Sequence, residues 1–182
     1  MFLDQWVEFS WDLRKLPDSV KGATRRARLR LGSEDDDPRR LWNIIRRVYA
    51  TDMSWGSGRE QRLDQIKSPV LNGLDGERLA VLLLEDGRRI IGISGLNIKG
   101  SPQLVTGICV IEEYRCRRYG TELLYTSLKF LADAGLSEAS VITKAKTYAA
   151  KYLYPKFSSA MRLVSADKVD LKKEEHLQEI VS

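Results

Sequence analysis

The sequence predicts an α/β fold of the α+β type, in which a mixed and mostly antiparallel central sheet carries helices on both faces. Three apolar runs, at 79–85, 89–98 and 104–111, follow one another with turn residues between them. Because short turns join antiparallel neighbours, these runs are expected to form a meander. An amphipathic stretch at 118–134 then leads into a short apolar strand at 139–143, which makes a strand–helix–strand crossover.

Length and composition predict one domain, 1–182, in the cytoplasm. A chain of 182 residues has the usual size of a single domain, and its 43% hydrophobic content is ordinary for a globular protein. No apolar run approaches the roughly 20 residues of a membrane-spanning helix. The first residues, 1–6, lack the charged-then-apolar plan of a signal peptide. We therefore expect no membrane partner.

The cysteine and histidine content limits the chemistry. Cys109 and Cys116 are the two cysteines, and His176 is the one histidine. This set can build neither a disulfide framework nor a zinc cluster, so no metal is expected. A Ser–His or Cys–His pair would require His176, near the C-terminus, to fold back onto the rest of the chain, and we give this little weight.

The net charge of +5 is compatible with nucleic acid, an anionic membrane surface or a small anionic ligand. The densest basic cluster, 21–30, is followed by an acidic run at 34–37, so the two largely cancel at a distance. Aromatic residues are not interleaved with these arginines, as a stacking surface for nucleic acid would need. The sequence therefore favours a solvated loop here.

The N-terminal elements begin with a strand of period two, which predicts one buried face. Its apolar residues are Val7, Phe9, Trp11 and Leu13. Residues 18–36 are expected to be a loop or a loosely held helix. Asp37 and Pro38 then signal a helix start, because the carboxylate caps the first N–H groups and proline fits the first turn. An apolar stripe continues this helix through about residue 50.

The remaining elements follow from turn and stop signals. A short second helix is expected at 59–66, ending before Pro69, with 70–77 as loop. The pair at 86–87, Asp-Gly, signals a hairpin, and Gly135 stops the helix at 118–134.

The C-terminal part is expected to contain a short helix at 148–156. A last strand pair is expected at 160–165 and 168–171, and 174–181 is weakly amphipathic.

The most informative stretch is the turn at 115–120, which carries Arg115, Arg117, Arg118 and Gly120 directly ahead of a helix. A helix N-terminus leaves backbone N–H groups unpaired and carries partial positive charge, so it attracts anions. Arginine adds fixed charge and forked donors at the same point. The arrangement predicts a site for a phosphorylated ligand.

On these residues the chain resembles the GCN5-related N-acetyltransferases, the GNAT superfamily. The family's acetyl-CoA loop reads Gln/Arg-x-x-Gly-x-Gly/Ala after a strand, and a Leu-Leu pair often follows. Here the loop would be Arg115-x-x-Arg118-x-Gly120, followed by Leu123 and Leu124. Arg118 stands at the first glycine, and the family's frequent Arg-Gly start is Arg-Cys at 115–116.

A second family pattern, Asn-x-x-Ala-x-x-Leu-Tyr, corresponds to Thr147-x-x-Ala150-x-x-Leu153-Tyr154. Thr147 takes the place of the common asparagine. The resemblance covers about 79–157 well and the N-terminal part by element order.

The resemblance implies a GNAT-like fold and transfer of an acetyl group from acetyl-CoA to a primary amine. The acetyl-CoA-binding core would be about 79–157, and residues 1–78 would contribute the acceptor side. In the family, strands equivalent to 104–110 and 139–143 splay apart, and the pantetheine arm lies between them. The cofactor contacts implied are Ile108, Cys109, Val110, Arg115, Cys116, Arg117, Arg118, Tyr119, Gly120 and Thr121.

Two catalytic functions are implied near these contacts. The N–H of Val110 would hold the oxyanion, and Tyr154 would protonate the leaving thiolate, since a phenol with a pKa of about 10 keeps its proton at neutral pH. Tyr154 can equally be an ordinary tyrosine at a helix end. No general base is assigned, because Glu112 and Glu113 are better interpreted as surface acids that pair with arginines.

Three further residues have two interpretations each. Gly107, inside a strand, marks either a bulge or relief of packing beside an aromatic ring. Trp55, in the acceptor-side region 42–58, either lines a pocket or fills the core, and the core is favoured. Cys116 is either a redox-sensitive thiol or a passive replacement for glycine, and replacement is favoured.

Three functions remain open from the sequence. The first is an N-acetyltransferase acting on an unidentified amine, and GNAT proteins are often homodimers. The second is a catalytically weak or inactive GNAT-fold module that binds CoA as a sensor or interaction domain. The third, a small nucleic-acid-binding domain, ranks last because only charge supports it.

Overall fold

The computed structural model describes residues 4–20, 27–73, 79–165 and 169. Its strands are β1 (Trp6–Asp12), β2 (Arg28–Leu31), β3 (Leu79–Asp86), β4 (Arg89–Asn97), β5 (Leu104–Val110), β6 (Glu138–Lys144) and β7 (Ala160–Val164). Its α-helices are α1 (Pro38–Thr51), α2 (Gly58–Asn72) and α3 (Tyr119–Asp133). Shorter helical turns occur at Leu13–Lys15, Met53–Trp55 and Glu112–Tyr114, and a π-helical turn at Ala149–Leu153.

The strands form two antiparallel sheets that meet at β5 and β6. One sheet has the order β2-β3-β4-β5, and the other has the order β6-β1-β7. β5 and β6 contact each other without being paired in a ladder. The separation that the resemblance implied between these two strands is therefore present.

Helices cover both faces, as predicted. α1 and α2 pack on one side of the larger sheet, where Ile45 and Ile66 join Ile93 in one buried cluster. α3 packs on the other side, where Leu128 joins Leu96 in a second cluster. Within the described ranges, no helix combines the length and the apolar character that crossing a bilayer requires.

β1 lies in the middle of the smaller sheet, between β6 and β7. Phe9 stands opposite Val141 on one side and Met161 on the other. The expected solvent face of β1 is also largely buried: Trp6 and Glu8 are both under 10% exposed, Trp6 packs against Trp55, and Glu8 pairs with Arg162 at 2.7 Å. The half-buried strand predicted from the alternation is therefore more enclosed than expected.

Two sequence predictions about the N-terminal half are wrong. A strand, β2, forms inside the stretch expected to be loop or helix, because β3 offers an edge on which four residues can pair. The second helix runs through Pro69 to Asn72 rather than ending at Ile66. Burial of Ile66 and Val70 on either side of the proline anchors that extension.

Other predicted signals are confirmed. Asp37 accepts a hydrogen bond from the N–H of Arg39 at 2.9 Å and caps α1. Gly87 in the β3–β4 hairpin and Gly135 after α3 both have positive φ. The predicted strand at 168–171, apart from Val169, and the stretch at 174–181 lie outside the described residues.

Candidate acetyl-CoA site and reaction centre

The turn between β5 and α3 presents a row of backbone amides that donate to no acceptor among the described residues. The N–H of Arg115 donates to the carbonyl of Glu112 at 3.2 Å, and the N–H of Glu122 donates to the carbonyl of Arg118 at 3.1 Å. Between them, the six N–H groups from Cys116 to Thr121 have no hydrogen-bond partner in the part of the chain that the structure describes. Cys116, Arg117 and Arg118 are exposed, so these amides can reach a ligand.

The turn has a backbone conformation normally taken by glycine. Cys116 has a φ of 60° and Arg118 a φ of 70°, both left-handed. Alternation of left-handed with right-handed residues makes successive N–H groups converge on one point, which forms an anion-binding concavity. The family that the sequence resembles carries glycine at both positions. This chain keeps the same backbone turn although both residues have side chains.

We expect Arg118→Gly to raise the free energy of unfolding by roughly 0.5 kcal/mol. The left-handed conformation costs an ordinary residue about 1–2 kcal/mol, and this relief exceeds the roughly 0.5–1 kcal/mol of extra chain entropy that glycine loses on folding. Chemical denaturation measures the change. Arg117→Gly is the matched control, because Arg117 has no positive φ to relieve. Equal destabilisation by the two variants would contradict the strain assigned to Arg118.

The Arg115 side chain was expected to face the ligand, but it bonds to other parts of the protein. Its guanidinium donates to the carbonyls of Val48 and Thr51 at 2.9 and 3.3 Å, and to the hydroxyl of Thr51 at 2.9 Å. Its Nε donates to the carbonyl of Val110 at 3.1 Å. The C-terminal carbonyls of a helix attract cations, so Arg115 joins the end of α1 to the end of β5 in place of the expected phosphate contact.

Of the two acids ahead of the turn, Glu113 pairs with arginines, as favoured, whereas Glu112 is exposed and forms no ion pair among the described residues. Glu113 lies 2.9 Å from the guanidinium of Arg47 and 3.0 Å from that of Arg89. A backbone hydrogen bond and the bond from Arg89 hold the pKa of Glu113 below its ordinary value. Arg117 lies over the ring of Tyr114, so Arg117 and Arg118 supply the exposed positive charge at the turn.

A bulge in β5 brings two tyrosine hydroxyls to Gly107. Ser94 pairs with Ile108 and Leu96 with Leu104, so β5 carries two extra residues at this point. Gly107 has a φ of 66°, and a Cβ there would lie 2.8 Å from the hydroxyl oxygen of Tyr154 and 3.8 Å from that of Tyr49. Both interpretations of Gly107 are therefore confirmed, since it lies in a bulge and also makes room for an aromatic side chain.

Tyr154 is buried beside β5 with its hydroxyl at this bulge. Its ring packs against Phe9 and Trp11, and its hydroxyl oxygen accepts a hydrogen bond from the N–H of Ile108 at 3.1 Å. Burial raises the pKa of Tyr154 to about 12, against the opposing effect of the Ile108 bond. The hydroxyl proton has no acceptor among the described residues, which leaves it available for donation.

The N–H of Val110 points away from β4. In an antiparallel pair, alternate residues of a strand bond to the same neighbour, and Ile111 donates to the carbonyl of Ile91 at 3.0 Å. The N–H groups of Ile108 and Val110 therefore face the opposite side, where Ile108 meets Tyr154. The direction fits the oxyanion contact implied for Val110, which stays a prediction.

The structure adds two residues that sequence reasoning missed. Tyr49 donates a hydrogen bond to the carbonyl of Thr106 at 2.8 Å, and Arg62 donates to the carbonyl of Val105 at 2.9 Å. Tyr49 belongs to the apolar stripe of α1, so its pattern indicates only core. Arg62 lies four residues before Ile66 on the buried face of α2, and an arginine at that spacing was the signal.

The other residues expected near the site are divided between the core and the exposed turn. Trp55 is buried and contacts the rings of Trp6 and Tyr49, which confirms the favoured core interpretation. Cys109 is also buried, whereas Cys116 occupies a left-handed position at the exposed turn. Gly120 would place a Cβ at an ordinary contact distance of 3.7 Å from Leu153.

Alkaline pH is expected to destabilise the protein from about pH 9. Burial raises the pKa of Cys109 from 9.0 and of Tyr154 from 10.0, each to about 12, and also raises that of Tyr49. The unfolded chain therefore loses protons that the folded chain keeps, so this contribution is complete below pH 9 and is lost as the pH rises towards 12. Urea denaturation should show a loss of about 5 kcal/mol by pH 11, about half of it from the thiol and the rest from the two tyrosines.

Cys109→Ala is the control for this pH dependence. Without the buried thiol, the decline should begin only near pH 10, where unfolded tyrosine titrates. A free energy of unfolding that stays constant to pH 11 in the unmodified protein would contradict the burial of these three groups.

Comparisons with known proteins agree with this architecture. A solved structure from Staphylococcus epidermidis, a functionally unknown conserved protein, is 17% identical with a TM-score of 0.53, covering 87% of this chain and 58% of that chain. A GCN5-related N-acetyltransferase from Sphaerobacter thermophilus is 18% identical with a TM-score of 0.55, covering 87% and 49%. A protein from Drosophila is 10% identical with a TM-score of 0.57, covering 88% and 51%.

The chain spans about half the length of these three structures, and at these identities the likeness shows the fold. No curated protein matches the chain. A family model described as the Acetyltransferase (GNAT) family matches residues 41–158, which include the amide turn, the β5 bulge and Tyr154. Because the match covers more than half of the sequence, the chain belongs to the GNAT acetyltransferase family.

Proposed function

We propose that the protein is an acetyl-CoA-dependent N-acetyltransferase that transfers the acetyl group directly to a primary amine. The observation that carries the proposal is the row of six N–H groups from Cys116 to Thr121, which have no partner in the described part of the chain. Several converging donors at a helix start match the needs of a diphosphate, and the exposed Arg117 and Arg118 add positive charge there. In this proposal 79–157 is the acetyl-CoA-binding core of one domain, and the N-terminal part supplies the acceptor side.

The proposed reaction uses the groups around the β5 bulge. The amine nitrogen attacks the thioester carbonyl carbon, and the N–H of Val110 donates to the oxygen that becomes negative. The carbon–sulfur bond then breaks, and the Tyr154 hydroxyl gives its proton to the departing thiolate. The acetylated nitrogen loses its proton to water, and Tyr154 is reprotonated from solvent, so the products are the acetylated amine and CoA.

The high pKa of Tyr154 suits its hydroxyl to donating a proton rather than to acting as a base. At about 12, its proton is retained throughout the neutral range, so the acid form is always present when the thiolate leaves. The rate then depends chiefly on holding amine and thioester in line, a contribution that can reach roughly 7–11 kcal/mol.

Calorimetry with acetyl-CoA, followed by a CoA-release assay across a panel of amines, tests the proposal. We expect binding at micromolar to millimolar ligand and amine-dependent release of CoA. Absence of binding at millimolar acetyl-CoA would sink the proposal, and strong salt-dependent binding of DNA or RNA would favour a nucleic-acid-binding domain instead.

A CoA-binding module without turnover is the second candidate. The feature that favours it is the pair of side chains at glycine-type positions, Cys116 and Arg118, which crowd the diphosphate turn. Binding of acetyl-CoA without release of CoA for any amine in the panel would select this candidate.

A further inference from the structure

Arg62 is a buried cation with no counter-ion among the described residues. The residue is 5% exposed, and in the ranges that the structure describes no carboxylate lies within 4.0 Å of its guanidinium. A buried charge without a partner strongly disfavours folding. The protein therefore tolerates an unfavourable group on the inner face of α2.

Arg62 and Gln65 also carry hydrogen-bond donors with no acceptor. Arg62 donates through Nη2 to the carbonyl of Val105 at 2.9 Å and through Nη1 weakly to Oε1 of Gln65 at 3.5 Å. Nε of Arg62 and Nε2 of Gln65 are buried and have no partner among the described residues. The two residues are three apart on one helix, so they share a face. Unsatisfied buried donors on one face call for an acceptor, and the part of the chain that the structure describes does not supply one.

These donors lie beside the proposed reaction centre. Val105 and Gly107 belong to the same β5 bulge, and Tyr154 and Tyr49 place their hydroxyls at Gly107. The charge of Arg62 lowers the pKa of both hydroxyls, against the larger effect of burial. The positive charge of Arg62 therefore acts at the point where the acetyl group would be transferred. It acts from the side of the sheet that α1 and α2 cover.

We infer that Arg62 and Gln65 form the carboxylate-binding part of the acceptor site, so that the accepted amine is one that carries a carboxylate, as an amino acid does. The two oxygens of a carboxylate would accept from Nε of Arg62 and Nε2 of Gln65, and a charge-assisted bond of this kind is among the stronger ones in proteins. The inference rests on the proposed N-acetyltransferase function, because it assigns the acceptor of that reaction.

A binding experiment on the product side tests the inference without catalysis. N-acetylalanine and its amide, N-acetylalaninamide, are titrated by calorimetry into protein saturated with CoA. They differ in the carboxylate alone, so we expect the acid to bind at least tenfold more tightly than the amide. In Arg62→Met this preference should disappear, while the affinity for CoA stays unchanged. Gln65→Met should weaken the preference in the same direction.

Stability distinguishes this function from a purely structural one. Because no carboxylate in the described ranges pairs with Arg62, Arg62→Met should raise the melting temperature while it abolishes carboxylate selectivity. A lowered melting temperature with unchanged selectivity would instead show that Arg62 only stabilises the β5 bulge, and this result would overturn the inference. Equal affinity for acid and amide, or failure of both to bind, would also overturn the inference. Failure of CoA to bind is seen in a separate titration with CoA alone and would overturn the proposed function.

Discussion

Tyr154→Phe should lower the turnover number by about 100-fold or more, the usual contribution of a general acid. The variant loses the proton that the proposed reaction gives to the leaving thiolate. It keeps the ring that packs between Phe9 and Trp11. Acetyl-CoA affinity should stay within a few-fold of the original, because in the proposed function the diphosphate binds at the turn 116–121. The measurement is steady-state CoA release combined with calorimetry on the same samples.

The variant also removes the acceptor of the Ile108 N–H, which should cost about 1–3 kcal/mol of stability. Assays are therefore run well below the melting temperature of the variant. Tyr152→Phe is the matched control, because Tyr152 is two residues away and 70% exposed. Turnover that is unchanged in Tyr154→Phe would remove Tyr154 from the mechanism.

Gly107→Ala should combine a folding defect with a loss of activity close to that of Tyr154→Phe. The added Cβ would lie 2.8 Å from the Tyr154 hydroxyl oxygen, so the tyrosine must move and its bond to Ile108 is lost. Left-handed φ adds about 1–2 kcal/mol for alanine. We expect the free energy of unfolding to fall by roughly 2–4 kcal/mol in all.

Gly87→Ala separates the two parts of this effect. Gly87 has a φ of 59°, and a Cβ there would meet nothing within 4 Å. Its variant therefore reports the backbone contribution alone, and activity should be unchanged. If Gly107→Ala destabilises no more than Gly87→Ala and remains active, the close approach of Tyr154 to the bulge is not part of the working site.

Local signals in the sequence were sufficient for the elements that frame the site. The cap at Asp37, the turn at Gly87 and the stop at Gly135 each depend on residues within a few positions. The turn at 115–120 was also accessible, because a strand, a cationic turn and a helix start are contiguous in the chain. The availability of its backbone amides follows from the same local geometry.

Tertiary contacts decided what the sequence could not. The guanidinium of Arg115 bonds to the end of α1, 64 and 67 residues earlier in the chain, and no local pattern encodes that partner. β2 forms because β3 presents an unpaired edge, and β1 becomes central because β7 covers its second edge. The left-handed φ of Arg118 is likewise enforced by the turn, since intrinsic preference opposes it.

At the proposed reaction centre, too, the sequence pattern identifies one residue while tertiary contacts decide its partners. Tyr154 was identified through its place in a motif, but its partner Ile108 and the neighbouring Tyr49 come from different elements. Arg62 breaks the rule that buried positions are apolar, and such violations concentrate at functional sites. The spacing from Ile66 can place Arg62 on the inner face of a helix, but its burial and its partner depend on the packing of α2 against β5.

The most direct test of the central claim is a ¹H–¹⁵N NMR titration with acetyl-CoA, with pantetheine as the ligand that lacks the diphosphate. If the six amides at 116–121 bind the diphosphate, their resonances should move on addition of acetyl-CoA and stay in place with pantetheine. The N–H of Val110 should move with acetyl-CoA in the same experiment. Acetyl-CoA that binds while the resonances of 116–121 remain unchanged would contradict the account.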